Sequence, residues 1–191
     1  MSFEVHNLQN VDGRLCIINA GHDNFNLGGL SELYVIEHNS VIELPIINYQ
    51  FLAGKQAIGN GDIIVDTGVE AYYFQFTPET AGFIEQSKET DHGIYFDQSL
   101  MITIPKDRPG LAWLKFKMST GRYIFIYRDN NGQTKILGDI GNGLRVKFDM
   151  DTQKEFAGFN SNVMSARRSS LYPAIFWNIP ADEPILDHIT E

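Results

Sequence analysis

Strict two-residue alternation marks the best-patterned stretches of this chain and restricts them to half-buried strands. In LRVKFDMD, Leu144, Val146, Phe148 and Met150 alternate with Arg145, Lys147, Asp149 and Asp151. That period puts apolar side chains on one face of a pleated strand and charges on the other. GIYFDQSLMITIP repeats the pattern over a greater length: Ile94, Phe96, Leu100, Ile102 and Ile104 share one parity, and Tyr95, Asp97, Ser99 and Thr103 the other. Pro105 ends that strand, because it has no amide hydrogen to give a ladder.

Other segments read as strands by composition. EAYYFQF (70–76) and YIFIY (123–127) are dense in aromatic and β-branched residues, as buried strands are. ELYVIEHNSVIELPI reads as two runs about a tight turn at Asn39-Ser40. EFAGFNSNVMSA and SLYPAIFW add strands, the second interrupted by Pro173. PETAGFIEQSKETDHG reads as a strand that turns at Asp91-His92-Gly93 into the long strand, since Gly82 and a weak apolar stripe disfavour a helix. About eight to ten short strands fit the length.

One helix is expected over 107–119, flanking the strands. Asp107 is placed to cap it, Pro109 suits its first turn, Leu111, Leu114 and Met118 recur at helical spacing, and Gly121 stops it. The Gly- and Asn-rich stretches NAGHDNFNLGG and GKQAIGNG (54–61) read as loops, and the acidic end ADEPILDHITE as a mobile or partner-docked tail. A chain of 191 residues with 43% hydrophobic and 20% charged residues suits one β-rich domain over 1–191.

DNNG (129–132) raises the question of a metal loop. A hairpin accounts for every residue, with Asn131-Gly132 supplying the positive φ angles of a two-residue turn. A calcium loop requires further oxygen ligands at alternating positions and a distal Glu, yet Gln133-Thr134-Lys135-Ile136 follows.

Several function classes lose support. A net charge of -9 opposes a phosphate-gripping surface, so no sequence-specific nucleic-acid binding is expected. Cys16 is the single cysteine, which rules out an intrachain disulfide and fits a reducing compartment. MSFEVHNLQNVDG lacks the basic-then-apolar layout of a leader, and no apolar run approaches membrane-span length. His6, His22, His38, His92 and His188 are scattered without ligand spacing, and GHD (21–23) sits in a loop without partner ligands. Neither a nucleophile elbow nor a phosphate-binding glycine loop occurs. Asp62, Asp66, Asp97, Asp149 and Asp151 each lie on or beside a strand whose wet face needs polar residues. No catalytic set, cofactor or metal is therefore expected. The doubled Arg167-Arg168 is the candidate site, read as a salt-bridging contact between subunits.

Residues 89–153 carry a resemblance. LMITIP, LAWL, YIFIY, DNNG, ILG and LRVKF occur in the order long strand, short helix, apolar strand, hairpin and alternating strand. This order, with the earlier GLSELYVIE, resembles a family of uncharacterised structural proteins encoded by phages and prophages of Bacteroidetes-type bacteria, similar to phage tail tube proteins. The resemblance implies a virion component made and assembled in the bacterial cytoplasm. It implies an antiparallel β-sandwich or barrel with one flanking helix, and subunits joined by β-hairpins into rings, usually hexamers, beside other virion proteins. Candidate lumen strands are 81–90, 94–105, 144–151 and 156–166, and an acidic lumen would repel DNA.

The expected function is thus a non-enzymatic structural protein that self-assembles through strand edges, a tail tube or a neighbouring tail or neck component. The alternative is a β-sandwich module binding a carbohydrate or small ligand through Tyr72, Tyr73, Trp113 or Trp177. A hydrolase built on ungrouped Asp and His residues is a third reading.

Overall fold

A computed structural model describes residues 28–47, 58–69, 71–74, 76, 79–91, 93–105, 107–151 and 161–190. The strands in chain order are β1 (Leu30–Glu37), β2 (Val41–Glu43), β3 (Ile46–Ile47), β4 (Ile58–Asn60), β5 (Ile63–Val65), β6 (Tyr72–Tyr73), β7 (Ala81–Thr90) and β8 (Gly93–Pro105). Helix α1 (Pro109–Thr120) follows, then β9 (Tyr123–Asp129), β10 (Thr134–Leu137), β11 (Arg145–Asp151), β12 (Ser161–Ser170), β13 (Ile175–Trp177) and β14 (Ile189–Thr190). The fold is mainly β with one short helix, as the sequence suggested.

Three sheets form, with orders β3-β4-β13-β10-β9-β1-β6, β11-β12-β8-β7 and β14-β5-β2. Pairing is antiparallel except for β13 on β4 and β14 on β5. The seven-stranded sheet is the middle layer, and β9 shows why. Tyr123, Phe125 and Tyr127 enter a core shared with Leu100, Ile102, Met164 and Ala166 of the four-stranded sheet. Ile124 and Ile126, of opposite parity, enter a second core with Val41, Ile63, Val65 and Ile185 on the side of the three-stranded sheet. A strand buried on both faces has no wet parity, so its sequence is an unbroken apolar run. β1 behaves alike, with Leu33 and Val35 in the first core and Ile36 in the second.

The two alternating strands follow their patterns only in part. In β8, Leu100 and Ile102 are fully buried while Met101 is exposed, and β11 buries Val146 but exposes Arg145 and Lys147; Ile94 and Met150, of the apolar parity, are exposed where each strand runs past the core. β7 and β8 form one hairpin whose last pair is Thr90 with Gly93. Gly93 takes a φ of 122°, which glycine adopts at little steric cost.

Several expectations are corrected. The runs about Asn39-Ser40 do not pair with each other: His38–Ser40 form a 3-10 turn, β1 stays with β9 and β6, and β2 crosses to β5. The apolar demand of both faces of β1 outweighs a weak turn signal. At DNNG only Gly132 has positive φ, 80°. The loop is a three-residue hairpin, with the Asp129 amide donating to the Gln133 carbonyl at 3.0 Å and the Gly132 amide to the Asp129 carbonyl at 3.0 Å. The Asp129 carboxylate takes the Asn131 and Gln133 amides at 2.9 and 2.8 Å, so its oxygens serve the turn. Asp107 does not cap α1: Arg108 is the N-cap without a side-chain bond, and Asp107 accepts from Lys115 at 3.1 Å. Of GKQAIGNG, residues 58–60 form β4 and 54–57 lie outside the described residues. The strand count reaches fourteen among the described residues, because β3 to β6 have only two or three residues each, too short to show a period.

The acidic end is also not a free tail. Ile185 is fully buried, β14 pairs with β5, and Arg128 reaches out from the end of β9 to hold the intervening strap. Its guanidinium donates to the Glu183 carbonyl at 2.7 Å, the Pro180 carbonyl at 3.4 Å, Thr134 Oγ1 at 3.2 Å and the Glu32 carboxylate at 3.2 Å. Nδ1 and Nε2 of His188 lie 2.9 Å from the Asp62 and Glu183 carboxylates, and in the protonated ring both N–H groups donate to them.

Candidate functional site

The four-stranded sheet presents the largest patterned surface that the cores do not use. Its inward face carries Leu100, Ile102, Met164, Ala166 and Val146. Its outward face carries Ile84, Gln86, Ser99, Met101, Thr103, Val163, Ser165, Arg167, Arg145 and Lys147, by the alternation of the paired registers. Ile84 and Met101 stand 55% and 41% exposed, and Arg167, Arg145 and Lys147 are exposed, so among the described residues no layer covers this face. Among the described residues the sheet ends in β7 and β11, each paired on one side only. A strand in that position offers a row of unpaired amides and carbonyls to another chain.

The two adjacent arginines part company because neighbours on a strand point to opposite faces. Arg168 shares the parity of Ala166 and turns inward, with its side chain only 8% exposed. It donates to the Asp139 carboxylate at 2.8 Å, the Asn142 carbonyl at 3.0 Å and Ser170 Oγ at 2.9 Å. This ties β12 to the 139–142 turn within the chain and commits both terminal nitrogens, while the buried Nε has no partner among the described residues. Arg167 alone points out. It faces Arg145 across the β11–β12 register, and with Lys147, Asp149 and Ser165 it lines an open groove of 280 Å³. Strand parity of SNVMSARRSS, continued two residues past Ala166, carries the signal that separates the two arginines.

A second cleft lies where α1 meets the end of β1. Lys117 bonds the Tyr72 hydroxyl and stands 5.2 Å from the Tyr72 ring centre and 5.5 Å from that of Trp113. The Tyr72 hydroxyl, more than burial, decides the direction of the ammonium's shift, which is upward. Glu37, Ser40, Gly68, Val69, Tyr72 and Lys117 line a groove of 240 Å³ there. Trp113 is 60% exposed and Tyr73 50%, whereas Trp177 is buried and donates its indole N–H to the Gly61 carbonyl at 2.8 Å.

The carboxylates considered as acid and base are dispersed. Asp62 meets His188, Asp97 pairs with Lys88, and Asp149 pairs with Lys147 at 2.8 Å. Both nitrogens of His188 are occupied, which makes it a clasp between the strap and the loop at Asp62. Its pKa is raised, chiefly by the bond to Asp62; burial opposes this, and the bond to Glu183 adds a lesser upward push. Among the described residues no three His, Cys, Asp or Glu side chains converge to hold a metal ion. GHD, His6 and His92 lie outside the described residues. No described helix is long and apolar enough to cross a membrane.

Comparison with known proteins found no matching family model, no matching curated protein and no matching solved structure.

Proposed function

We propose that this chain is a non-enzymatic structural subunit that self-associates through the edges of its four-stranded sheet, as a component of a phage or prophage virion. A tail tube or a neighbouring tail or neck position is the place that its sequence resemblance suggests. The observation that carries the self-association is a pair of strands that are single-sided among the described residues: β7 and β11, of ten and seven residues, bound a sheet whose outer face no described layer covers. Strand addition at such edges satisfies backbone groups and extends the sheet. All the long strands named as lumen candidates fall in this one sheet, with residues 156–160 outside the described range. The acidic net charge agrees in sign with a surface that passes DNA without holding it. Light scattering over a concentration series, followed by electron microscopy of the heaviest species, tests the reading. Rings or tubes support it; a monomer at every concentration overturns it.

The cleft at Tyr72 and Trp113 favours a second reading, binding of a saccharide or other small polar ligand. The groove brings together the Glu37 carboxylate, the Tyr72 phenol and the Lys117 ammonium, and the exposed Trp113 indole, 5.5 Å from that ammonium, offers a stacking plane next to it. Titration with simple sugars, read by tryptophan fluorescence, should give a saturable change that Trp113→Ala abolishes. No change in the parent chain removes this reading.

A further inference from the structure

We propose that the tip of the β7–β8 hairpin of one copy seats its carboxylates, Glu89 and Asp91, in the groove of Arg145, Lys147 and Arg167 on a second copy. This rests on the self-association proposed above and names the contact that makes it.

The groove asks for an anion. Arg145 and Arg167 stand directly opposite each other, with Lys147 next along the same face. Like charges in directly opposed positions destabilise a sheet. The one carboxylate in the groove, Asp149, is already engaged by Lys147 at 2.8 Å. No carboxylate among the described residues pairs with either arginine, while Arg128 and Arg168 are both consumed by partners within the chain. Two guanidinium groups without a carboxylate partner, on a chain of net charge -9, form a local site that carboxylates of a second copy are suited to fill.

The hairpin tip supplies the anion and the reach. β12 pairs with β8 only from Phe96 onward. The pairs Lys88 with Tyr95, Glu89 with Ile94 and Thr90 with Gly93 therefore stand beyond the sheet, a projection of about 10 Å at the rise of an antiparallel strand. Charges elsewhere on the hairpin are committed: Lys88 pairs with Asp97, and Glu85 accepts from Gln98 at 2.9 Å and from the Ala174 amide at 2.6 Å. Glu89 and Asp91 remain, both exposed, beside Ile94, which is 61% exposed and can add apolar contact.

No ion pair joins tip and groove within one copy among the described residues. Along β8 they are offset: Arg167 pairs with Ser99, Glu89 pairs with Ile94 beyond the last β8–β12 pair, and Arg145 lies a strand further away on β11. A contact between two different patches is head-to-tail, and it closes into a ring or grows into a filament according to the rotation between copies. A nucleic-acid strand is the less fitting occupant, since the field of the whole chain repels a polyanion.

Charge reversal tests the contact. The pairs Glu89→Arg/Asp91→Arg and Arg145→Glu/Arg167→Glu change exposed side chains, and melting curves check that each variant folds. Sedimentation of the full chain across concentration and salt should show each double variant needing roughly tenfold or more protein to assemble. The fourfold variant, with both patches reversed, should recover assembly, and salt should dissociate the parent oligomer. If the parent assembles and the reversals assemble equally, the contact is wrong and self-association stands. If the groove reversal alone abolishes assembly, and the parent groove binds inorganic phosphate or a short oligonucleotide, the hairpin is not its occupant. A parent chain that stays monomeric overturns both the contact and the reading beneath it.

Discussion

Replacing Arg128 with Met should release the C-terminal strap before it unfolds the sheets. The guanidinium is 7% exposed and serves four acceptors: the Glu32 carboxylate, Thr134 Oγ1 and the carbonyls of Pro180 and Glu183. Met preserves most of the volume, so a cavity contributes little. Removing one partner of a buried ion pair costs about 3–5 kcal/mol. Glu32 is 29% exposed and can recover water, as can the two strap carbonyls, which lowers the expectation to about 2–3 kcal/mol. Most of that loss falls on the strap, because its carbonyls lose their only described donor to the body. Urea unfolding followed by tryptophan fluorescence measures the total, and limited proteolysis between 181 and 188 measures local release. A loss under about 0.5 kcal/mol with unchanged cleavage would refute the assignment of Arg128 as the strap's anchor.

The His188 clasp gives stability a pH dependence of known sign. Its pKa is raised in the folded chain, so its contribution is complete below the ordinary imidazole value of about 6.5 and fades as pH rises through the folded value. Melting temperature measured from about pH 5 to 8 should fall less steeply in His188→Gln than in the parent, and parallel profiles would remove the clasp from the account. Gly138 has a φ of 112°, and an added Cβ would lie 2.6 Å from Ile124 Cδ1. Gly138→Ala should therefore cost about 2–4 kcal/mol in denaturant unfolding. Gly82→Ala, with open space at its Cβ, should change stability by less than about 1 kcal/mol.

What the sequence made legible follows the physics of each element. β8 and β11 were readable because over the core each has one dry and one wet face, so alternation records the burial there, though not at Ile94 and Met150, which the core does not reach. YIFIY was readable as a buried strand, but an unbroken apolar run does not say that two separate cores receive its two parities. The partner of β1 was not readable: it is β9, almost a hundred residues away, and pairing at that distance leaves no local mark. A residue's own turn chemistry is visible to the eye, which is why Asn39-Ser40 and Asn131-Gly132 drew attention. The actual geometries, a 3-10 turn and a three-residue loop, depend on where the flanking strands must go.

The candidate contact was half legible. Arg167-Arg168 stood out as a doubled charge, and strand parity separates the exposed member from the one held by Asp139. Arg145 and Lys147 were visible only as the wet parity of LRVKFDMD, since their placement beside Arg167 depends on the β11–β12 register. Arg128 gave no signal, because a single arginine after an apolar run looks like any strand end. Its importance comes from a strap more than fifty residues later in the chain.

Hydrogen exchange at two protein concentrations tests self-association through strand edges most directly. The outward amides of β7 and β11 should exchange freely in dilute solution and become protected as the chain is concentrated, while β9, buried between two cores, stays equally protected throughout. Protection of β7 and β11 that does not change with concentration, in a sample whose mass grows, would place assembly elsewhere on the molecule and contradict the account.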